Sequence, residues 1–131
     1  MYEAMVDDWV ANGPQDALAG AVASIIFGGG YDPKPWIDKW QAGDRAAIRE
    51  PFTTLIGRDD VTSRLGEIAA PAIIFHGDED AAIPMEKAEA LESGLGNAVA
   101  LVRISGAGHA SNLSHPDAVN GPLIEFLRKY A

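Results

Sequence analysis

Hydrophobic positions change period once along this chain, between Leu65 and Pro71. Before that boundary the spacing is helical. From Met1 to Asn12, Met5, Val6, Trp9 and Val10 recur on one helical face, and Gly13-Pro14 ends this helix and starts the next. Pro14 to Phe27 continues with Leu18, Val22, Ile25 and Ile26 among alanines, until Gly28-Gly29-Gly30-Tyr31-Asp32-Pro33 breaks it. Pro35 to Gln41 reads as a short helix with Trp36, Ile37 and Trp40 on one side. Asp44 can cap another helix running towards Ile56, which Pro51 is expected to kink or divide.

After the boundary the pattern is that of strands and one crossover. Ala72-Ile73-Ile74-Phe75 is a short apolar run, introduced by Pro71 and closed by a Gly/Asp turn, which suits a strand buried on both faces. Val99 to Ile104 is a second such run. Between them Pro84 to Leu95 is amphipathic, with Pro84 suited to a first helical turn. The unit is therefore β-loop-α-β, with a right-handed parallel crossover expected. A closing helix is predicted from about Pro116 to Tyr130, kinked or delayed by Pro122. No internal repeat or low-complexity segment is visible.

Composition narrows the class. The 131 residues suffice for one domain or a piece of one, and with 47% hydrophobic and 22% charged residues the chain is of the folding kind. A formal charge of -9, with scattered lysines and arginines, repels phosphate backbones and anionic lipid, so neither nucleic acid nor a membrane surface is an expected partner. The absence of cysteine excludes disulfides and thiolate metal sites. Glu3, Asp7 and Asp8 stand where a signal peptide needs a basic start and an apolar run, and Ala17 to Gly28 falls short of the roughly 18 apolar residues of a membrane span. The expected location is cytoplasmic.

Asp80 and His109 are the residues most able to carry chemistry. Each follows a predicted parallel strand, and in an open α/β sheet the carboxyl ends of the strands are where side chains and loops converge. A carboxylate there can accept the Nδ1 proton of the imidazole and leave Nε2 free to take a proton from a nucleophile. His76 is expected to bond locally at a strand end, and His115, ahead of Pro116, to cap a helix. Asp78, Glu79 and Asp80 read as solvated turn carboxylates rather than a divalent-metal cluster, so no metal is expected. Asp-x-Asp after a strand also occurs in haloacid-dehalogenase phosphatases, but Ala82 does not fit their pattern and His109 would go unexplained. Gly106-Ala107-Gly108 resembles a dinucleotide loop only in outline, because Ser111 replaces the third glycine, and no cofactor is expected. Trp9, Phe27, Trp36 and Trp40 are read as packing residues before pocket residues.

Taken in order, these segments resemble the C-terminal part of an α/β-hydrolase. The resemblance rests on Ile68-Ala69-Ala70-Pro71, Gly77-Asp78-Glu79-Asp80-Ala81-Ala82-Ile83-Pro84, Gly106-Ala107-Gly108-His109, and Asn112-Leu113 before His115-Pro116. The acid precedes the base, as it does in that family. The resemblance implies Asp80 as triad acid and His109 as triad base. Residues 1–64 resemble the helical cap of such enzymes and 65–131 the end of their core, nearest in character to the enol-lactonase and carboxylesterase-like branch. The implied fold class is α/β: a partial α/β-hydrolase, with a helical cap followed by a β-α-β-α unit with two parallel strands. The implied substrate is a small ester, lactone or similar acyl compound.

One element of that family is not found in the chain. Ser24, Ser63, Ser93, Ser105, Ser111 and Ser114 all lack the Gly-x-Ser-x-Gly flanks of a nucleophile elbow. The chain is therefore expected to be inactive by itself, lacking both the nucleophile and the oxyanion donors. A two-strand parallel sheet with an apolar edge is also expected to seek a neighbour, either a second copy in a homodimer or a chain supplying the N-terminal half. Two other functions stay open, a non-catalytic dimeric interaction module and a small Rossmann-like binding domain.

Overall fold

The computed structural model describes residues 2–131. Helices α1 (Tyr2–Asn12), α2 (Asp16–Phe27), α3 (Lys34–Ala42) and α4 (Arg49–Gly57) precede strand β1 (Ala72–Gly77). Then follow α5 (Met85–Gly94), β2 (Ala98–Ile104), the single turn α6 (Ser111–Ser114) and α7 (Pro116–Tyr130). Short 3₁₀ segments at Arg45–Ile48 and Thr62–Glu67 complete the order. The class is α/β, with the switch of hydrophobic period marking the step from helices to strands.

Chain contacts divide the molecule into two units. One holds the chain up to Ser24 and again Asp32–Asp59, and the other holds Ile25–Tyr31 together with Asp60–Ala131. In the helical unit Trp9 is buried and meets Trp40 edge-on at 5.8 Å. Arg49 reaches Asp7 at 2.9 Å, an exposed pair that contributes little. The Asp44 carboxylate accepts the Ala46 amide at 2.9 Å and caps the 3₁₀ segment. The helix does divide, but ahead of Pro51. The change from 3₁₀ to α falls at Ile48/Arg49, and Pro51 sits in the first turn of α4, where its missing N–H costs no helical bond.

The second unit is built on β1 and β2, which pair in parallel from Ala72↔Ala98 to Gly77↔Ile104 with one irregularity between Ala72 and Ile73. Two parallel strands need a crossover, and α5 supplies it. Pro84 is its N-cap in extended conformation rather than its first helical residue, and the Lys87 amide bonds back to the Pro84 carbonyl at 2.9 Å. Ile104, Ala107 and Val119 are the buried centre, with Phe75 and Val102 packed on them, so β2 and α7 share this core. Helix α7 runs unbroken through Pro122. Ala118, whose carbonyl loses a partner there, is exposed, so water can replace the missing amide.

Aromatic residues pack, as their spacing indicates. Phe27 is buried and stacks on Tyr31 at 4.8 Å, and Trp36 lies 5.0 Å beneath the Lys39 ammonium.

Candidate active site at the strand ends

Both strands end in tight turns that are tied to each other. The Asp78 amide donates to the Ile104 carbonyl at 3.1 Å and the Glu79 amide to the Ala107 carbonyl at 3.0 Å. In return, the Gly106 amide donates to the Asp78 carboxylate at 2.7 Å. So close an approach requires glycine. A Cβ on Gly77 would overlap the carbonyl oxygens of Ala107 and Gly108. Gly106 has φ of +75°, the left-handed region that glycine enters without strain. Gly108 lies against the backbone of Phe27 and Gly28, and the Ala110 amide donates to the Ile26 carbonyl at 2.8 Å. Backbone therefore closes on Gly108.

This frame brings Asp80 and His109 together. His109 Nδ1 lies 2.9 Å from Asp80 Oδ2, while the other carboxylate oxygen accepts the amides of Ala82 at 2.8 Å and Ile83 at 2.9 Å. The Asp80 side chain is 4% exposed and that of His109 is 48% exposed. Burial pushes the Asp80 carboxyl up. The Ile83 amide, the His109 ring and the Ala82 amide pull it down more strongly, and it rests below the usual carboxylate range. An ionised, acceptor-only carboxylate faces Nδ1, so this nitrogen carries the proton, and Nε2 of the half-exposed ring is left as a base. Beside the pair lies an open cleft of about 290 Å³. Ile74, Phe75, Ile83 and Leu91 make it apolar, and Lys87 sits at its edge.

The other histidines and acids are placed differently. His115 occupies the N-cap position of α7 without capping it, because Nδ1 turns to the Ser114 hydroxyl at 2.8 Å. His76 is buried, with Nδ1 3.4 Å from the same Asp80 oxygen that His109 contacts. Asp78 is bound to the neighbouring turn rather than solvated alone. Sequence reading missed the parts played by His76 and Asp78. The signal for both was proximity to Asp80 at a strand end. Among the described residues no group of three or more His, Cys, Asp or Glu side chains is arranged to hold a metal ion, and no helix is long and apolar enough to cross a membrane.

The family model described as TAP-like protein, one of the α/β-hydrolase models, matches residues 49–130, a span that contains both Asp80 and His109. The chain belongs to the α/β-hydrolase family. Among curated relatives, this α/β-hydrolase chain is similar to a 2-hydroxy-6-oxononadienedioate/2-hydroxy-6-oxononatrienedioate hydrolase of Paraburkholderia xenovorans, 35% identical over 69 residues. That match covers 53% of this chain and 24% of the relative. Among solved structures, it is similar to a thermophilic esterase from Thermogutta terrifontis, with TM-score 0.79 and 20% identity over 97% of this chain and 48% of that one. An esterase from Exiguobacterium antarcticum gives TM-score 0.75 and 19% identity, covering 96% of this chain and 47% of that one. At these identities the structural likeness speaks for the fold. The α/β-hydrolase chain spans about a quarter of the curated relative and about half of each solved esterase.

Proposed function

We propose that this chain supplies the acid and base of a serine-type hydrolase acting on an ester, lactone or similar acyl bond. Asp80 is the orienting acid and His109 the general base. The contact that carries this reading is the 2.9 Å pairing of His109 Nδ1 with a buried Asp80 carboxylate that two backbone amides already hold. A carboxylate fixed in this way sets the imidazole's tautomer and stabilises the imidazolium that forms when Nε2 takes a proton from an attacking hydroxyl. The same Nε2–H then returns the proton to the departing alcohol. The hydrolase and esterases to which the chain is similar support an acyl substrate.

The nucleophile and the oxyanion donors come from residues outside these 131, in the same or another polypeptide. The described strands support such completion, since β1 and β2 pair only with each other and each leaves one edge open. The same open edges favour a second reading, a non-catalytic module that dimerises through its strands. The deciding experiment is co-expression with a segment carrying Gly-x-Ser-x-Gly and the earlier strands. The complex should turn over a chromogenic ester and label with a serine-reactive probe, while this chain alone does neither. A folded complex without turnover would favour the interaction module, and turnover by this chain alone would overturn the proposed division of labour.

A further inference from the structure

The cleft beside Asp80 and His109 runs along an edge of the sheet, not over one of its faces. Ile74, Phe75 and His76 all line it, although consecutive residues of a strand point to opposite faces. Three neighbours share one cleft where the side of their strand is open, and β2 already holds the other side of β1. The cleft is therefore the strip beside the free edge of β1, walled by α5 through Ala88 and Leu91.

The two free edges differ. β1 reads Ala72-Ile73-Ile74-Phe75-His76-Gly77, with no Asp, Glu, Lys or Arg and no exposed residue. β2 exposes Val99 and Arg103, and the Arg103 guanidinium is bound to Glu89 at 2.6 Å. A long charged side chain is a mark of a strand that ends a sheet, whereas a charge-free apolar run is how central parallel strands read.

We propose that β1 is the docking edge of this chain, and that its occupant is a parallel strand ending in the turn that bears the nucleophile. This rests on the reading that the serine comes from outside these 131 residues, and it names where and in which direction that segment enters. Direction matters because β1 has six residues, so at about 3.3 Å per residue its ends lie about 17 Å apart. A parallel neighbour delivers its carboxyl end, and the strand-to-helix turn after it, to the end of the sheet where His109 stands. An antiparallel neighbour delivers it to the opposite end. Two copies of this chain joined through β1 by a twofold axis pair antiparallel, so a second copy does not meet the requirement. The helix after the new strand has its own seat. With right-handed crossovers advancing in the same direction as β1-α5-β2, it lies on the face that α5 covers, where Leu91 is 37% and Ile83 42% exposed. The chain spans 47–48% of the solved esterases to which it is similar, and the other half of such a chain is long enough for this strand and helix.

The test is hydrogen exchange, read by mass spectrometry, on the full chain alone and in complex with a co-expressed segment carrying Gly-x-Ser-x-Gly and the earlier strands. Amides of Ala72–Gly77 should slow by about 10-fold or more in the complex, and by more than those of Ala98–Ile104. Turnover together with that protection reports the parallel direction, since only it brings the serine to His109. Leu91→Glu puts a charge into the cleft and should weaken assembly by about 100-fold or more. Val99→Glu, on the β2 edge, should leave assembly and turnover at the parental level. A larger gain of protection at β2 than at β1, or a folded Leu91→Glu chain that assembles like the parent, overturns the docking edge, and turnover by such a complex leaves the acid–base reading standing. A complex protected at β1 without turnover supports the docking edge and counts against Asp80 and His109 as acid and base. If Leu91→Glu does not fold, the exchange comparison on the parent chain decides alone.

Discussion

The Gly106 amide and the Asp78 carboxylate are joined at 2.7 Å across the ends of two parallel strands, so the turn that bears His109 is held by the turn that bears Asp80. Removing the carboxylate leaves the two backbone bonds between the turns and takes away the third tie. Asp78→Ala should cost about 1.5 kcal/mol, the lower end of the range for a bond to a charged group. Urea unfolding checks the loss. Broadened His109 resonances in the folded variant would show that the tie, and not only stability, was reduced.

The glycines at the site should resist substitution that a helical glycine tolerates. Gly77→Ala places a methyl group on the Ala107 and Gly108 carbonyls and Gly108→Ala places one on Phe27 and Gly28, all of them backbone that can move only by opening the turn. Each should destabilise by about 2–3 kcal/mol. Gly121 in α7 meets nothing within 4 Å, and Gly121→Ala should instead stabilise by about 0.5–1 kcal/mol through helix propensity. Thermal midpoints of the three variants should therefore fall on opposite sides of the parent.

Acid sensitivity follows from Asp80. Its carboxyl lies below the usual range in the folded chain, so the unfolded chain binds the proton more readily. The resulting stability is complete above the ordinary Asp value of about 3.9 and is lost as pH falls from there through the lower folded value. Asp80→Asn should flatten that part of the stability profile and, at neutral pH, cost about 2–4 kcal/mol, because the single amide oxygen cannot replace a carboxylate that accepts from two backbone N–H groups and the His109 imidazole. Denaturation curves between acid and neutral pH measure both effects.

In the completed enzyme, His109→Gln should leave KM close to the parent value and lower kcat by on the order of 100- to 10,000-fold, the usual worth of a general acid and base. Steady-state kinetics on the co-expressed complex decide this. A His109→Gln complex with parental kcat would remove His109 from the chemistry.

Open strand edges carry their own expectation. The chain at micromolar concentration should scatter light as a dimer or larger, because each strand pairs on one side only and Val99 on β2 is an exposed apolar residue. A stable monomer would show that the edges are tolerated bare.

Much of this was legible because the strongest local signals agreed. The run Ala72 to Phe75, the amphipathic stretch after Pro84 and the run to Ile104 each fit one element, and together they allow only one simple topology. Asp80 and His109 were legible for the same reason, as residues that follow strands whose ends must lie side by side. Prolines were harder to place, because their effect depends on which turn they occupy. Pro51 falls in a first turn and breaks nothing, while Pro122 is absorbed at an exposed stretch of α7. His76 was legible only as a strand-end residue with local partners, and its approach to Asp80, four residues on, is local in that sense. What the sequence does not show is that its ring lies 3.4 Å from the oxygen that His109 contacts, a relation between positions distant along the chain.

Ile25–Tyr31 belongs with the strand-bearing unit although most of the helical unit's sequence separates it from β1. The Ile26 carbonyl takes the Ala110 amide, and Gly28 backs on Gly108. The loop of His109 therefore closes against residues made long before it, and that contact can form only after Ala110 has emerged. Folding of the acid–base corner should then be a late event, limited by a long-range closure rather than by the neighbouring helix. A nascent chain halted before Ala110 would hold two strands and the crossover but not yet a positioned base.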